Sequence, residues 1–468
     1  MSYKVSSNHK KILADTYTPV GIYLKLRDLF PNTLLLESSD YHSRENAYSY
    51  LCLQPIASFQ VNNHLAIAEY PDGKSEQTKI TNETSVSALL NKFIQQFDTP
   101  INNEKFIING LFGYTTYDAV PYFEDLHFQA EKLDKKDIPD IRYQVFQNVI
   151  VFNHFNNEIH LYEHLYGDQQ ESKLEDLGSL INHQNISVYP FQTTNEESTN
   201  MTDEEVLQMI RKGKGHCQKG DVFQIVLSRA FAQKFQGDDF NVYRALRTVN
   251  PSPYLFYFDY GDYKIMGSSP EAQLTIRDKV ATIHPIAGTY KRTGNDERDL
   301  ELAGELQKDP KEKAEHVMLV DLARNDLSRS TAAVKVDTFC KIQQFSHVIH
   351  MVSKVTGNLT EKSNPVQIVS DTFPAGTLSG APKHRAMQLI DKYEKERRSF
   401  YGGAIGFLGF NGDYNHAIII RSLLSKNNEL HYQAGAGVVV KSDEQKELEE
   451  INNKIAAVRK AIKLATTI

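Results

Sequence analysis

Several residue types and segments that mark other classes of protein are absent or rare in this chain of 468 residues. It has no tryptophan, and its three cysteines, Cys52, Cys217 and Cys340, are too few and too widely spaced to favour a disulfide framework or a zinc knuckle. The longest aliphatic runs have the length of a strand and fall far short of a membrane span. The first residues carry no apolar signal segment, so we expect a cytoplasmic protein.

The charge balance of the chain is mildly acidic. With 52 Lys and Arg against 59 Asp and Glu, the formal net charge is −7, whereas a nucleic-acid binder normally presents a basic face or tail. The hydrophobic fraction of 40% is ordinary for a folded globular protein. Composition therefore predicts a globular protein that binds neither nucleic acid nor membrane.

The predicted secondary-structure pattern changes near residue 202. Residues 1–165 mix short strand-like runs with turns, and residues 166–201 are polar with one short helix candidate, which is typical of a linker or a surface excursion. A capping box formed by Thr202 and Glu205 predicts the start of a helix. Over residues 202–468 strands and helices interleave without a regular βαβ period, so we expect an α+β fold.

Two predicted helices each carry a pair of glutamates on one face. Glu312 and Glu315 are three residues apart, and so are Glu447 and Glu450. If the two pairs faced each other they would suit one hard cation, because Mg²⁺ prefers oxygen ligands. Spacing alone favours the simpler interpretation, in which the glutamates are solvated on amphipathic helices.

Small residues are concentrated in the segment Gly435-Ala436-Gly437, which follows a strand-like run. Such residues let the carboxylate of a ligand approach backbone N–H groups, although a tight turn or a bulge explains the pattern more simply. The histidines show no metal-binding spacing, and the chain has no phosphate-binding loop motif. Nucleotide chemistry therefore lacks support.

Six motifs follow one another in a specific order along the chain. They are Ser269-Pro-Glu271, Pro285-Ile-Ala-Gly-Thr289, Lys311-Glu-x-x-Glu-His316, Phe373-Pro-Ala-Gly-Thr-x-Ser-Gly-Ala-Pro-Lys383, Tyr401-Gly-Gly403, and Ala434-Gly-Ala-Gly437 with Glu450. In this order they resemble the chorismate-utilising enzymes, and most closely the large-subunit family of the anthranilate synthases. The resemblance is strong over residues 203–460 and looser before them. It implies two large β-sheets packed as a sandwich with helices outside.

The resemblance implies a Mg²⁺-dependent lyase of tryptophan biosynthesis. Such an enzyme adds ammonia at C2 of chorismate as the C4 hydroxyl leaves, and then eliminates pyruvate to form anthranilate. By motif position Glu315 and Glu450 correspond to the Mg²⁺ ligands, and Glu312 and Glu447 to carboxylates that hold water on the metal. The cation would bridge to the ring carboxylate of chorismate, so that an acidic site could accept a dianion.

Other motif positions correspond to proton transfer and to substrate contacts. Glu271 matches the general acid for the leaving hydroxyl, for which we expect a raised pKa. His350 matches the histidine of the pyruvate-elimination step, although a strand histidine bonded to backbone is its simpler interpretation. Tyr401 and Arg421 would bind the pyruvyl carboxylate, Arg421 through two hydrogen bonds. The other predicted pocket residues are Gly288, Thr289 (also a catalytic candidate), Thr377, Gly435, Ala436 and Gly437.

Two positions distinguish relatives within this family. Gln224, a further catalytic candidate, stands where isochorismate and salicylate synthases carry a lysine that activates water. Ala287 stands where aminodeoxychorismate synthases tend to carry lysine. Both favour attack by ammonia at C2. Aminodeoxychorismate synthase component I is the main alternative, followed by an isochorismate or salicylate synthase and by a non-catalytic binding protein of the same fold.

The resemblance also implies a partner and an effector. None of the cysteines lies in the glycine-rich elbow of a glutamine amidotransferase, so a separate amidotransferase subunit would supply ammonia. Tryptophan would act as a feedback inhibitor where the N-terminal regulatory region, residues 1–165, joins the chorismate-binding region, residues 202–468. The matched effector residues are Glu37, Ser38, Pro253, Tyr254 and Leu255. A chain without tryptophan could then be translated when that amino acid is scarce.

Overall fold

The computed structural model describes residues 2–38, 47–81, 83–100, 104–129, 132, 136–167, 171–182, 186–344, 348–361 and 363–468. Within these residues the chain forms an extensive antiparallel β-structure that is covered by helices. No helix in these ranges combines the length and the apolar character that a membrane crossing requires.

The strands are numbered in chain order. They are β1 (Tyr3–Leu13), β2 (Leu34–Glu37), β3 (Tyr48–Asn62), β4 (Leu65–Glu69), β5 (Ser75–Lys79), β6 (Phe97–Asp98), β7 (Gly110–Thr115), β8 (Ile141–Asn153), β9 (Glu158–Tyr166), β10 (Phe191–Thr193), β11 (Ser198–Thr199), β12 (Gln224–Gly237), β13 (Tyr254–Asp259), β14 (Tyr263–Ser269), β15 (Ala272–Arg277), β16 (Val280–Ile283), β17 (Ile286–Lys291), β18 (Ala332–Gln344), β19 (Val348–Asn358), β20 (Gly380–Ala381), β21 (Ala404–Gly409), β22 (Tyr414–Ile418), β23 (Ser422–Lys426) and β24 (Glu429–Val439).

The helices are numbered in the same way, and a 3₁₀ turn covers Tyr117–Tyr122. They are α1 (Pro19–Leu26), α2 (Val86–Ile94), α3 (Leu174–Asn182), α4 (Asp203–Lys219), α5 (Phe240–Val249), α6 (Asp296–Lys308), α7 (Pro310–Ser328), α8 (Pro365–Thr372), α9 (Gly376–Ser379), α10 (Lys383–Tyr393) and α11 (Glu444–Ala465).

Two long strands, β3 and β8, each belong to two sheets. The first sheet has the order β1-β9-β8-β3-β2-β13-β14-β23-β24-β12, and the second has the order β5-β4-β3-β8-β7-β21-β22-β15-β16-β19. Strands β17 and β18 both pair with further parts of β19. All of these pairings are antiparallel, so each sheet can present one face to the other sheet and one to helices.

Along the buried strands, successive side chains point alternately into a core between the sheets and into a core beneath the helices. In β13, Phe256 and Phe258 pack with buried residues of both sheets, whereas Leu255 and Tyr257 pack in a second core with α1, α4, α5, α10 and α11. The outer face of the other sheet packs against α2, α7 and α8. This period of two is the reason that the aromatic-rich strands form a sandwich with helices outside, and the expected α+β architecture is confirmed.

The polar segment after residue 165 is in close contact with the rest of the fold. Leu177 and Ile181 of α3 are buried in the same core as Ile22 of α1, and β10 and β11 pair with β12. In addition, β2 of the N-terminal region pairs with β13 of the larger region. The division into a regulatory and a catalytic region therefore stays a prediction about function.

The predicted capping box at α4 is confirmed. The Glu205 N–H donates to Thr202 Oγ1 at 3.3 Å, and the Thr202 N–H donates to Glu205 Oε2 at 2.9 Å. Gly220, with φ 80, ends the helix in the left-handed conformation that glycine adopts most easily. Helix α4 is therefore delimited by local chemistry, and its apolar face packs on β12 and β24.

We expect Thr202→Ala to lower the free energy of unfolding by about 1 kcal/mol, because the Glu205 N–H loses its acceptor at the start of α4. Urea denaturation followed by circular dichroism measures this difference. Thr467→Ala, at the exposed end of the chain, is the control and should leave stability nearly unchanged. Equal stability of Thr202→Ala and the unmodified protein would show that the cap does not support the helix.

Candidate active site

Glu271 lies in the turn between β14 and β15, and Thr377 Oγ1 of α9 donates a hydrogen bond to Glu271 Oε1 at 2.9 Å. The side chain is only partly exposed, and burial raises the pKa of its carboxyl to about 7, against smaller lowering effects of Thr377, Lys454 and Arg421. A carboxyl with this pKa is protonated in a large fraction of molecules near neutral pH. The expected raised pKa is therefore found, and Glu271 can donate a proton.

Arg421 places a guanidinium beside this carboxyl. The residue follows β22 with φ 52, and its carbonyl accepts a hydrogen bond from the Ser268 N–H at 3.1 Å. Burial lowers the pKa of Arg421, and Tyr401 and Glu271 oppose this effect in part. Among the described residues none forms an ion pair with the Arg421 side chain, so a desolvated cation is available to an anionic ligand.

The small-residue segment lies inside β24 and pairs along its length with β12. The simpler interpretation as a turn or a bulge is therefore wrong, because Gly435, Ala436 and Gly437 are regular strand. A Cβ on Gly437 would lie 2.5 Å from Gln224 Nε2, and a Cβ on Gly435 would lie 3.1 Å from the Tyr401 hydroxyl oxygen. The two glycines thus let the side chains of Gln224 and Tyr401 lie directly against the backbone.

His350 of β19 and Gly288 of β17 are joined by a hydrogen bond of 3.1 Å between His350 Nδ1 and the Gly288 carbonyl. A carbonyl only accepts, so Nδ1 carries the proton and Nε2 carries the lone pair of the neutral ring. Burial lowers the pKa of His350, which keeps the ring neutral. The predicted candidate Thr289 is the next residue of β17, but its side chain lies outside the described part of the structure.

The four predicted metal-site glutamates converge from α7 and α11. Burial raises the pKa values of Glu312, Glu315 and Glu447, and the charge of Glu450 raises all three further. The two helices therefore present their carboxylates to each other. Lys311 Nζ lies 3.8 Å from Glu315 Oε1 and 4.0 Å from Glu312 Oε1.

This acidic cluster adjoins the rest of the site. At Gly288, whose φ is 68, a Cβ would lie 3.1 Å from Glu312 Oε2. Within the described ranges, no three Asp, Glu, His or Cys side chains are already arranged as a complete metal-binding group. The fit to a divalent cation therefore rests on the facing carboxylates, whose mutual repulsion a cation would relieve.

Lys454 is a residue of the site that the sequence analysis did not identify. Its Nζ lies 2.7 Å from Glu450 Oε1 and donates to the Gly435 carbonyl at 2.8 Å. Its charge also lowers the pKa of Glu271. The available signal was its position four residues after Glu450, which is the spacing of an ion pair on a helix.

The predicted effector residues come together where β2 ends and β13 begins, on adjacent central strands of the first sheet. Leu255 of β13 lies opposite Glu37 of β2. Ser38 directly follows β2, Pro253 directly precedes β13, and Tyr254 is the first residue of β13. Glu37 is buried and accepts hydrogen bonds at 2.5 Å from the Tyr243 hydroxyl and at 3.0 Å from Arg247 Nη2. Strand β14 lies between this pair of strands and the Arg421 side of the active site.

The site thus combines a partly exposed acid with a raised pKa, an arginine that forms no ion pair among the described residues, a neutral histidine and an acidic cluster. This set suits acid–base chemistry on a small anionic molecule. Residues 34–460 match the family model described as chorismate binding enzyme. The chain belongs to this enzyme family.

Four individual proteins are similar to this chain over nearly its whole length. The chain is 36% identical to anthranilate synthase component 1 of Aquifex aeolicus, with 99% of this chain and 96% of that protein covered. It is 37% identical to the protein of the same name from Bacillus pumilus, with 100% and 94% covered. It is also similar to the crystal structure of anthranilate synthase component I from Streptococcus pneumoniae TIGR4, with a TM-score of 0.77, 30% identity, and 97% and 100% covered. A menaquinone-specific isochorismate synthase of Escherichia coli, MenF, shares the fold at 19% identity, with a TM-score of 0.75 and with 98% and 95% covered.

We expect Glu312→Gln to stabilise the protein at neutral pH when chelator removes divalent cations. The folded state raises the pKa of this carboxyl, so the ionised side chain opposes folding, and the advantage of glutamine should fade as pH falls and Glu312 becomes protonated. Thermal unfolding across neutral and mildly acidic pH measures the effect.

The matched control is Glu444→Gln on α11. The backbone at the start of α11 and Lys214 lower the pKa of Glu444, so its charge favours folding and glutamine should destabilise the protein at neutral pH. Destabilisation by both substitutions would contradict the repulsion inferred for the glutamate cluster.

Proposed function

We propose that this chain is the large subunit of an anthranilate synthase. It would convert chorismate and ammonia to anthranilate and pyruvate with Mg²⁺, and tryptophan would inhibit it. The observation that carries the proposal is the position of Arg421 beside Glu271: a buried cation without an anionic partner among the described residues, next to an acid with a pKa of about 7. The similarity to proteins named anthranilate synthase component 1 supports the same reaction.

Chorismate carries two carboxylates, and the site offers a different kind of partner to each. The pyruvyl carboxylate would accept hydrogen bonds from Arg421 and Tyr401 and from backbone groups of residues 435–437. Gly288 and Thr289 would line the same pocket on the β17 side. The charge of a bound Mg²⁺ would offset the repulsion among the facing glutamates, so that this side of the site could accept the ring carboxylate. Glu315 and Glu450 would hold the ion, and Glu312 and Glu447 would orient its water molecules.

Proton transfer is assigned to two residues whose protonation states differ. Glu271, held by Thr377, would donate its proton to the C4 hydroxyl, which leaves as water when ammonia adds at C2. The lone pair on His350 Nε2 would accept the ring proton that is lost as pyruvate departs and the ring becomes aromatic. The raised pKa of Glu271 suits a proton donor, and the lowered pKa of His350 suits a neutral proton acceptor.

The side chain of Gln224 favours ammonia over water as the nucleophile. It lies against Gly437 in the position where relatives that add water carry a lysine. A neutral amide does not act as a base, so it cannot activate water, whereas ammonia already carries a lone pair. This residue therefore supports amination.

The cysteines support an external source of ammonia. Burial raises the pKa values of all three thiols, that of Cys217 to about 11. A glutaminase needs a thiolate nucleophile, which a raised pKa disfavours. We therefore infer that a separate glutamine amidotransferase subunit delivers ammonia to this chain, and that an ammonium salt can replace that subunit in vitro.

The direct test incubates the purified chain with chorismate, Mg²⁺ and an ammonium salt. We expect fluorescent anthranilate and pyruvate in equal amounts, and no product in the presence of a chelator. Formation of a 4-amino product would instead support an aminodeoxychorismate synthase, and formation of isochorismate would support addition of water.

The metal assignment is tested in the same assay. Glu315→Gln should lower kcat/KM at least about 100-fold, because a carboxylate of the metal site is lost. Glu449→Gln, which changes an exposed neighbour of Glu450, is the control and should stay close to the unmodified enzyme. Full activity of Glu315→Gln would exclude the proposed ligand role.

The effector assignment predicts that Ser38→Phe weakens inhibition by tryptophan at least about tenfold with little change in uninhibited turnover, because a bulky ring fills the end of β2. The chain contains no tryptophan, so the fluorescence of the ligand reports binding directly. Ser75→Phe on exposed β5 serves as the control. Unchanged tryptophan affinity in Ser38→Phe would place the effector elsewhere.

A further inference from the structure

Arg398 lies in the segment between α10 and β21 and is one of the largest fully buried side chains of the described structure. Its Nε and Nη2 donate to the two carboxylate oxygens of Glu394 at 2.9 and 2.6 Å. Nη2 also donates to the Val226 carbonyl at 2.8 Å, and Nη1 donates to the Leu378 carbonyl at 2.6 Å. A side chain with this many contacts is tied to several elements at once.

The first element that the ion pair completes is the edge of β12. Strand β20 pairs with β12 only at Gln224 and Ile225, so the next edge groups need other partners. Arg398 donates to the Val226 carbonyl, and Glu394 Oε1 accepts hydrogen bonds from the Ser228 N–H at 2.9 Å and from the Ser228 hydroxyl at 2.6 Å. The ion pair thereby continues the hydrogen bonding that β20 begins.

This edge supports the glycine-containing part of β24. On the other side of β12, Val226 lies opposite Gly437 and Ser228 lies opposite Gly435. Neither glycine has a side chain that could hold the strand in place by packing. The position of the β24 backbone therefore depends on how firmly β12 is held from its other side.

The second element is α9, the four-residue helix that carries Thr377. Arg398 binds the Leu378 carbonyl, one of the carbonyl groups near the end of this helix that lack a partner within it. The neighbouring Thr377 hydroxyl donates to Glu271. The guanidinium carbon also lies 5.6 Å from the ring centroid of Tyr401. The buried Arg398 guanidinium thus binds the helix whose Thr377 holds Glu271, and it also lies near the ring of Tyr401.

We propose that Arg398 is a positioning residue for the reaction: through its ion pair with Glu394 it holds Thr377 against Glu271 and holds the β12 support of residues 435–437, without touching the substrate. This inference rests on the proposed chorismate chemistry. It assigns Arg398 a role in aligning the proton donor in addition to a role in folding.

The role has a measurable consequence at Glu271. The charged groups that face this carboxyl are Lys454 and Arg421, and Thr377 supplies its hydrogen bond. That hydrogen bond stabilises the carboxylate, so its loss raises the pKa of Glu271 above its value of about 7. An acid with a higher pKa stays protonated to higher pH, and the fall of kcat on the alkaline side moves upward.

The test compares the pH dependence of kcat for Arg398→Lys, Thr377→Val and the double variant, at a fixed concentration of free ammonia. Lysine keeps the charge but loses the fork that joins Glu394, Val226 and Leu378. We expect both single variants to move the alkaline limb upward by about one pH unit, the size expected for one hydrogen bond to a charged group. The double variant should move no further than Thr377→Val, because both changes remove the same hydrogen bond.

Arg27→Lys is the matched control, because Arg27 forms another largely buried ion pair, with Asp238 at 2.7 Å, that joins α1 to the segment before α5. It should lower stability without moving the pH profile. An unmoved profile in Arg398→Lys, or additive shifts in the double variant, would overturn the inference. If Arg398→Lys does not fold, Glu394→Gln provides the same comparison. Absence of anthranilate from the unmodified enzyme would refute the proposed function instead, so the two failures are distinguishable.

Discussion

The antiparallel pairing of β12 with β24 is the interaction on which the rest of the site depends. The pairing runs from Gln224 opposite Val439 to Lys234 opposite Glu429, so it fixes the register of the glycine segment. At one end Gln224 lies over Gly437. A short connection after β24 leads into α11, which carries Glu447 and Glu450. A shift of one residue would turn every side chain of β24 to the opposite face.

Burial of ionisable groups connects the geometry to the chemistry. The site contains Arg421, Glu271 and the glutamates of α7 and α11, and burial opposes the charged form of Arg421, Glu271, Glu312, Glu315 and Glu447. Arg398 and Glu394, in contrast, are fully buried and form their ion pair with each other. The support of the site is thus held by an internal ion pair, whereas Arg421 forms no ion pair among the described residues.

Local features of the fold were predictable from the sequence because they depend on neighbouring residues. The capping box of Thr202 and Glu205 marks the start of α4, and Asp309 with Pro310 marks that of α7. The apolar stripe of α11, from Leu448 to Ile462, is buried as its spacing predicts. The glycines of β24 were harder to place, since a strand, a turn and a bulge all accept glycine and only the partner β12 distinguishes them.

The order of the motifs was sufficient to identify the family and the residue types available for chemistry. It did not show which of these residues meet, and that became clear from the folded arrangement of strands and helices. In the folded chain the glutamates of α7 face those of α11, and Thr377 donates a hydrogen bond to Glu271. Lys454 and Arg398, which belong to none of the motifs, also contact elements of the site. A contact between residues far apart in the chain depends on the register of sheets and the packing of helices, which no local pattern encodes. The pKa of Glu271 depends in turn on the burial that this packing produces.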